Sequence, residues 1–283
     1  MGDSGRLAAL REHRVVQRIR ANVVGRVLVG VAEESVRVEI FDRSMTIAAQ
    51  FFTSLLPLFI VTASLLEGDD SQAVSDLFGA SGPSSELIDD AVAGAGDAAF
   101  GVVGALFVLG SATSLSRALT RAFAAVWQVA RPRLGLGSAW RWLAVVVAFL
   151  LAVVVSQNLG PRVGLLPPRQ VWPVALTVAT DAAVAVFVPW MLLSGVVRAR
   201  VLLPGAAGFA ALMAAIRPAA DVWLPWALQT SSDRYGPIGM AFTYLAWLYV
   251  VAFVLLGSAV VGHVLVSPLA HDVAPLAPGD DGP

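Results

Sequence analysis

An all-α integral membrane bundle is the fold class this sequence predicts, and three features predict it. Of the 283 residues, 57% are hydrophobic and only 14% charged, whereas soluble domains carry roughly a quarter charged residues. Six stretches are mainly apolar over the roughly 20 residues that a helix rising 1.5 Å per residue needs to cross a hydrocarbon core. Arg residues gather in alternate connections between those stretches, the asymmetry that marks cytoplasmic loops. A membrane barrel is excluded because its strands alternate in polarity over about 10 residues, and these runs are longer and uniformly apolar.

The first three spans cover residues 45–66, 98–115 and 142–158, and none contains a charge. Span four (171–197) contains Asp181, span five (201–229) contains Arg217 and Asp221, and span six (237–262) is again uncharged. Residues 1–43 hold eight Arg. Arg117, Arg121, Arg131, Arg133 and Arg141 follow span two, and Arg198 and Arg200 follow span four, so these three segments are placed inside. The connection 67–97 has eight acids and no base and is placed outside. Both termini are then cytoplasmic, in a plasma (inner) membrane protein. Trp127, Trp140 and Trp142 near the inner boundary, and Trp172, Trp223 and Trp226 near the outer one, match the aromatic belts of a bilayer.

Three segments flank or interrupt this six-span unit of residues 44–265. Within 1–43, Leu10, Val16, Ile19, Val23, Val27 and Val31 recur at helical spacing with Arg between them, the pattern of a basic amphipathic helix on a membrane surface or packed on protein. No apolar stretch with a cleavage site marks a removable leader. The acidic connection 67–97 lacks the alternating ligands and central Gly of a calcium loop and reads as a solvated cover of one or two short helices. The tail 266–283, rich in Pro, Gly and Asp, reads as disordered.

Chemistry is sparse. There is no Cys, hence no thiol nucleophile or thiolate ligand, and His13, His263 and His271 are isolated from one another in the sequence. No phosphate loop, dinucleotide fingerprint or nucleophile elbow occurs, and the net charge of −1 gives no basis for binding nucleic acid. The expectation is a protein without enzymatic activity and without cofactor or metal.

Ionisable groups inside a span are costly and normally face a partner or cavity. Asp181 lies nine residues from Trp172 and Arg217 nine from Trp226, which puts both about 14 Å below the outer belt. Asp181, Arg217 and Asp221 are therefore expected to form an interhelical cluster in the outer half of the bundle, either fixing helix register or lining a polar path. Pro218 and Pro225 in the same span predict a kink beside Arg217. Gln50 and Asn158 are secondary polar candidates whose ordinary role is interhelical hydrogen bonding. Small residues four apart, such as Gly110 with Ser114 and Ala206 with Ala210 and Ala214, predict close helix contacts.

Three segments carry a family resemblance: MTIAAQFFTSLLPLFIV in span one, SLSRALTRAFAAVWQVARPR after span two, and the run from LLPGAAGFAALMAAIRP to GSAVVGHVL. Their most specific residues are Ala118, Leu119 and Trp127, Pro204 and Gly205, Tyr235 and Gly236, then Trp247, Tyr249 and Leu255 to Gly257. In order and spacing they resemble the YihY/virulence factor BrkB family over most of residues 40–265. The resemblance implies six helices and an inner-membrane location. It also brings a legacy label, ribonuclease BN, a tRNA-processing activity, yet a metal-dependent nuclease needs clustered His and Asp that the cytoplasmic segments lack. Where relatives carry Gly-Ala-Glu in span six this chain has Gly257, Ser258 and Ala259, and beside Gln50 it has Phe51 and Phe52 where relatives have a Tyr-containing pair. No functional residue is carried over.

The functional expectation is a transporter or lipid-handling permease in contact with the bilayer and acting on a small molecule or lipid. The alternative is a non-transporting membrane component of envelope assembly, and a membrane-bound nuclease is the weakest reading.

Overall fold

The computed structural model describes residues 23–65, 98–130, 144, 145, 148, 151, 171–193 and 196–271. These residues are helical, with no strand among them. Most of span three, Asn158 included, the acidic connection 67–97 and the terminal segments 1–22 and 272–283 lie outside the described residues.

Among the described residues five helices follow one another: α1 (Val23–Arg37), α2 (Ile40–Leu65), α3 (Ala98–Val126), α4 (Val171–Leu192) and α5 (Ala199–His271). α2 packs against both α3 and α5, α4 packs along α5, and α1 lies against α5. Among the described residues, α4 and the stretch Ala199–Ser267 of α5 are long and apolar enough to cross a membrane.

α5 is two arms joined at Gly236, whose φ of 61° and ψ of −146° leave the helical region. That combination is open almost only to Gly, and Pro237 adds its own bias against a helical residue before it. Contacts on either side show that the arms, 199–235 and 237–271, fold back on each other. Near the tip, Ser231 Oγ lies 2.9 Å from Thr243 Oγ1. Far from it, a Cβ added to Gly262 would sit 2.7 Å from Gly205 N. The crossing therefore depends on two glycines in backbone contact, as small-residue packing in membranes permits. Ala206 and Ala210, expected from their spacing to mediate such contacts, are buried beside this crossing, while Gly110 is exposed with open space around it.

Through Pro218 and Pro225, where the sequence predicts a kink, the backbone keeps helical φ/ψ, and within α5 it leaves the helical region at Gly236. A proline removes one donor without forbidding helical dihedrals, since its own φ is already close to helical. The sequence boundaries shift elsewhere too. α3 continues past residue 115 through Arg117 and Arg121 to Val126, because both Arg side chains lie on its exposed face while Leu119, Ala122 and Phe123 on the other are buried. α5 continues into the expected disordered tail as far as His271. There Val264 packs near Gly30 and Ser267 Oγ donates to the His263 carbonyl at 2.7 Å.

The core concentrates at the end of the bundle opposite Gly236, here termed the terminal end because α1 and both ends of α5 meet there. Val38 and Ile40, the last turns of α3, Val188, Leu192 and Leu193 around the end of α4, and Leu202 and Leu256 of α5 form one cluster. Ala185, Ala206, Phe209, Met213 and Val254 form a second between α4 and α5. Toward the Gly236 tip, large apolar side chains such as Val222, Trp226, Ile238 and Phe242 are exposed, each by more than 60%, which is the surface of a helix facing lipid rather than water.

Candidate functional site

α4 is apolar on every side, and most of its surface is not covered by protein. Trp172 and Trp190 are exposed near its two ends, eighteen residues or about 27 Å apart. That separation is close to the thickness of a hydrocarbon core. Asp181 lies halfway between them. The matching depth below the outer Trp residues, inferred from sequence as the outer half of the bundle, is thus the middle of α4.

Asp181 is satisfied by Arg217 of α5. Arg217 Nη1 donates to Oδ2 at 2.6 Å and Nη2 to Oδ1 at 2.7 Å, a two-point charge-assisted pair. The Asp181 side chain is 12% exposed and that of Arg217 36%. An isolated charge at the centre of a bilayer costs about 2.5–3.5 kcal/mol on insertion scales. The pair offsets this for both partners and leaves about a third of the Arg217 side chain exposed.

The third expected member does not join. Asp221 is exposed, and no ion pair to it forms among the described residues. Both terminal nitrogens of Arg217 are already directed at Asp181, and an acid four residues after a base is the weaker order on a helix. Gln50 is half-buried on α2, and its backbone carbonyl accepts from Thr53 Oγ1 at 3.1 Å and from Ser54 Oγ.

Two cavities lined by described residues border the α5 arms. A cleft of about 590 Å³ near the tip is walled by Trp223, Trp226, Tyr235 and Phe242, with Ser231 and Thr243 as its main polar groups. A very small apolar cavity lies between Phe123, Pro189, Phe209 and Leu255. Neither is lined by Asp181 or Arg217.

A polar node at the terminal end had no counterpart in the sequence reading. α3 stops there in a Schellman-type cap: Gln128 adopts φ 51° and Val129 N donates to the Ala124 carbonyl at 3.1 Å. The neighbouring Ala125 carbonyl accepts from Arg37 Nη2 of α1 at 2.8 Å, so α1 completes the end of α3. Arg37 also donates through Nε to Glu34 Oε2 at 2.8 Å and through Nη2 to Glu34 Oε1. The Arg37 hydrogen bond holds the Glu34 carboxyl below its ordinary range. His263, one residue past the end of span six, completes the node. Its Nε2 lies 3.4 Å from Gln128 Nε2, 3.4 Å from Ser267 Oγ and 3.8 Å from Glu34 Oε1, with the Trp127 ring edge-on at 5.4 Å. Burial pushes this imidazole below its ordinary value. Positions 34, 128 and 263 share no periodicity, so only the packing of α1, α3 and α5 brings them together. Among the described residues, no group of three His, Asp or Glu is arranged to hold a metal ion.

Long apolar helices with lipid-type surfaces and an ion pair halfway along one of them define a helical membrane protein. The family model for virulence factor BrkB matches residues 31–271, and the chain belongs to that family. No curated protein and no solved structure matches it.

Proposed function

We propose that this chain is a six-span inner-membrane permease without enzymatic activity, with both termini cytoplasmic, that handles a lipid. In this reading the outer leaflet reaches the cleft near Gly236, and the Asp181–Arg217 pair sits at the bilayer midplane. The observation that carries the reading is the cleft itself. Its size, aromatic walls and scarcity of polar groups suit an acyl chain and not a hydrated solute. The exposed part of Arg217, deeper in the membrane, offers an anion site of the kind a phosphate headgroup needs.

The second reading is a non-transporting component of envelope assembly, and one observation favours it: neither cavity reaches the ion pair. Lipid and metabolite profiling of a deletion strain separates the two. The strain is complemented by wild type, by Asp181→Asn and by Ala246→Phe, which fills the cleft from its own wall. Lipid handling predicts that wild type restores the profile while both variants, present at wild-type level in the membrane, do not. Full restoration by both variants contradicts it and leaves the pair as a structural element.

A further inference from the structure

We propose that His263 is a proton-binding site that controls the docking of α1 on the terminal end of the bundle: α1 is held at neutral pH and released when His263 is protonated.

The docked state is defined by contacts on one face of α1. A Cβ on Gly30 would sit 3.1 Å from Val264 Cγ1, Val31 packs on the main core, and Glu34 faces His263. Arg37 joins the same helix to the end of α3. Toward the start of α1, away from the node, Val24 and Leu28 are each more than 60% exposed. Few apolar contacts hold α1, so a change of charge at the node acts on a small total.

Protonation changes that charge unfavourably. In the tautomer protonated at Nδ1, a neutral His263 accepts at Nε2 from the Gln128 amide, which fits the 3.4 Å separation. Once protonated, Nε2 becomes a donor and loses that bond. Among the described residues, the charged groups facing it are Glu34 and Arg37, both on α1; Gln128 and Trp127 from α3 and Ser267 from α5 carry no charge. The one carboxylate is already engaged by Arg37 through two nitrogens. A second cation therefore enters a largely buried site in which Glu34 attracts it but is shared with Arg37, and burial outweighs that attraction, the Glu34 and His263 side chains being only 13% and 17% exposed.

The sign follows. Burial lowers the affinity of His263 for a proton when α1 is docked, so the undocked state binds the proton more tightly. Docking is at full strength above the free imidazole value of about 6.5 and weakens as pH falls below it. Glu34, held low by Arg37, stays ionised through this range and does not contribute to the transition.

The chain lacks Cys, so two introduced ones can be labelled without background. Exposed Ala32 on α1 and Leu265 on α5 are replaced by Cys and spin-labelled in the full-length protein in lipid nanodiscs. The interlabel distance is measured from pH 8 to pH 5. One narrow, short distance is expected at pH 8, replaced toward pH 5 by a distribution longer by about one helix diameter, 10 Å. In His263→Gln and His263→Asn, at least one of which must give the short distance at pH 8, that distance persists at pH 5. An unchanged wild-type distance, neither variant docking at pH 8, or the same acid response in a docked variant overturns the proposal. Because lipid profiling does not read α1, failure here leaves the permease reading intact.

Discussion

Removing Asp181 is expected to be the most damaging single change in the molecule. Asp181→Ala leaves Arg217 without its partner halfway along the apolar bundle, and an uncompensated buried charge costs about 3–5 kcal/mol. Arg217→Ala is expected to cost less, because the remaining carboxyl can take up a proton and become neutral whereas a guanidinium cannot give one up. The ordering distinguishes a true charge pair from a simple packing contact, in which the larger side chain would matter more. Folded fraction and melting temperature in detergent micelles measure it. The swap Asp181→Arg with Arg217→Asp should recover more than half of the loss. Recovery no better than the worse single variant would show that the two groups do not depend on each other.

The second large effect is expected from the smallest substitution. A Cβ at Gly262 meets Gly205 N at 2.7 Å and Gly205 Cα at 2.8 Å, and backbone atoms cannot rotate aside as a side chain would. Gly262→Ala must separate the two arms of α5, at a net loss of about 2 kcal/mol after the better helix propensity of Ala is counted. The same substitution at Gly110, where nothing lies within 4 Å, should stabilise by up to about 1 kcal/mol. Comparing melting temperatures of these two variants isolates the close approach from any general effect of losing a glycine.

The sequence made the Asp181–Arg217 pair legible because depth in a bilayer can be counted from Trp residues along straight helices, and the two counts agreed. It misjudged Asp221 for a related reason. Spacing of four residues places side chains on one face but does not say which neighbour wins the guanidinium, and a carboxylate on α4 wins it. Arg117 and Arg121 were read as ending span two, whereas a helix accommodates charges on one exposed face while burying Leu119 and Phe123 on the other. Small-residue spacing drew attention to Ala206 and Ala210, yet the backbone contact at this crossing falls one residue away, at Gly205, because its partner is another glycine in the opposite arm. The node of Glu34, Arg37, Gln128 and His263 was beyond reach, since it depends on where three distant helices end. Its residues looked ordinary in isolation: a surface ion pair, a loop Gln and a lone His.

The central claim is that the Asp181–Arg217 pair lies at the middle of the membrane, and the lipid exposure of α4 tests it most directly. Single Cys residues at the exposed positions Ala175, Ala179 and Ala183, and at Trp190, can be spin-labelled in this Cys-free chain and reconstituted in bilayers. Relaxation by oxygen, which partitions into lipid, is compared with relaxation by a water-soluble nickel complex. The account predicts that the preference for oxygen peaks at Ala179 and Ala183, on either side of Asp181, and declines toward Ala175 and Trp190. Stronger relaxation by nickel at Ala179 and Ala183 than at Trp190 would place the pair in water and contradict the claim.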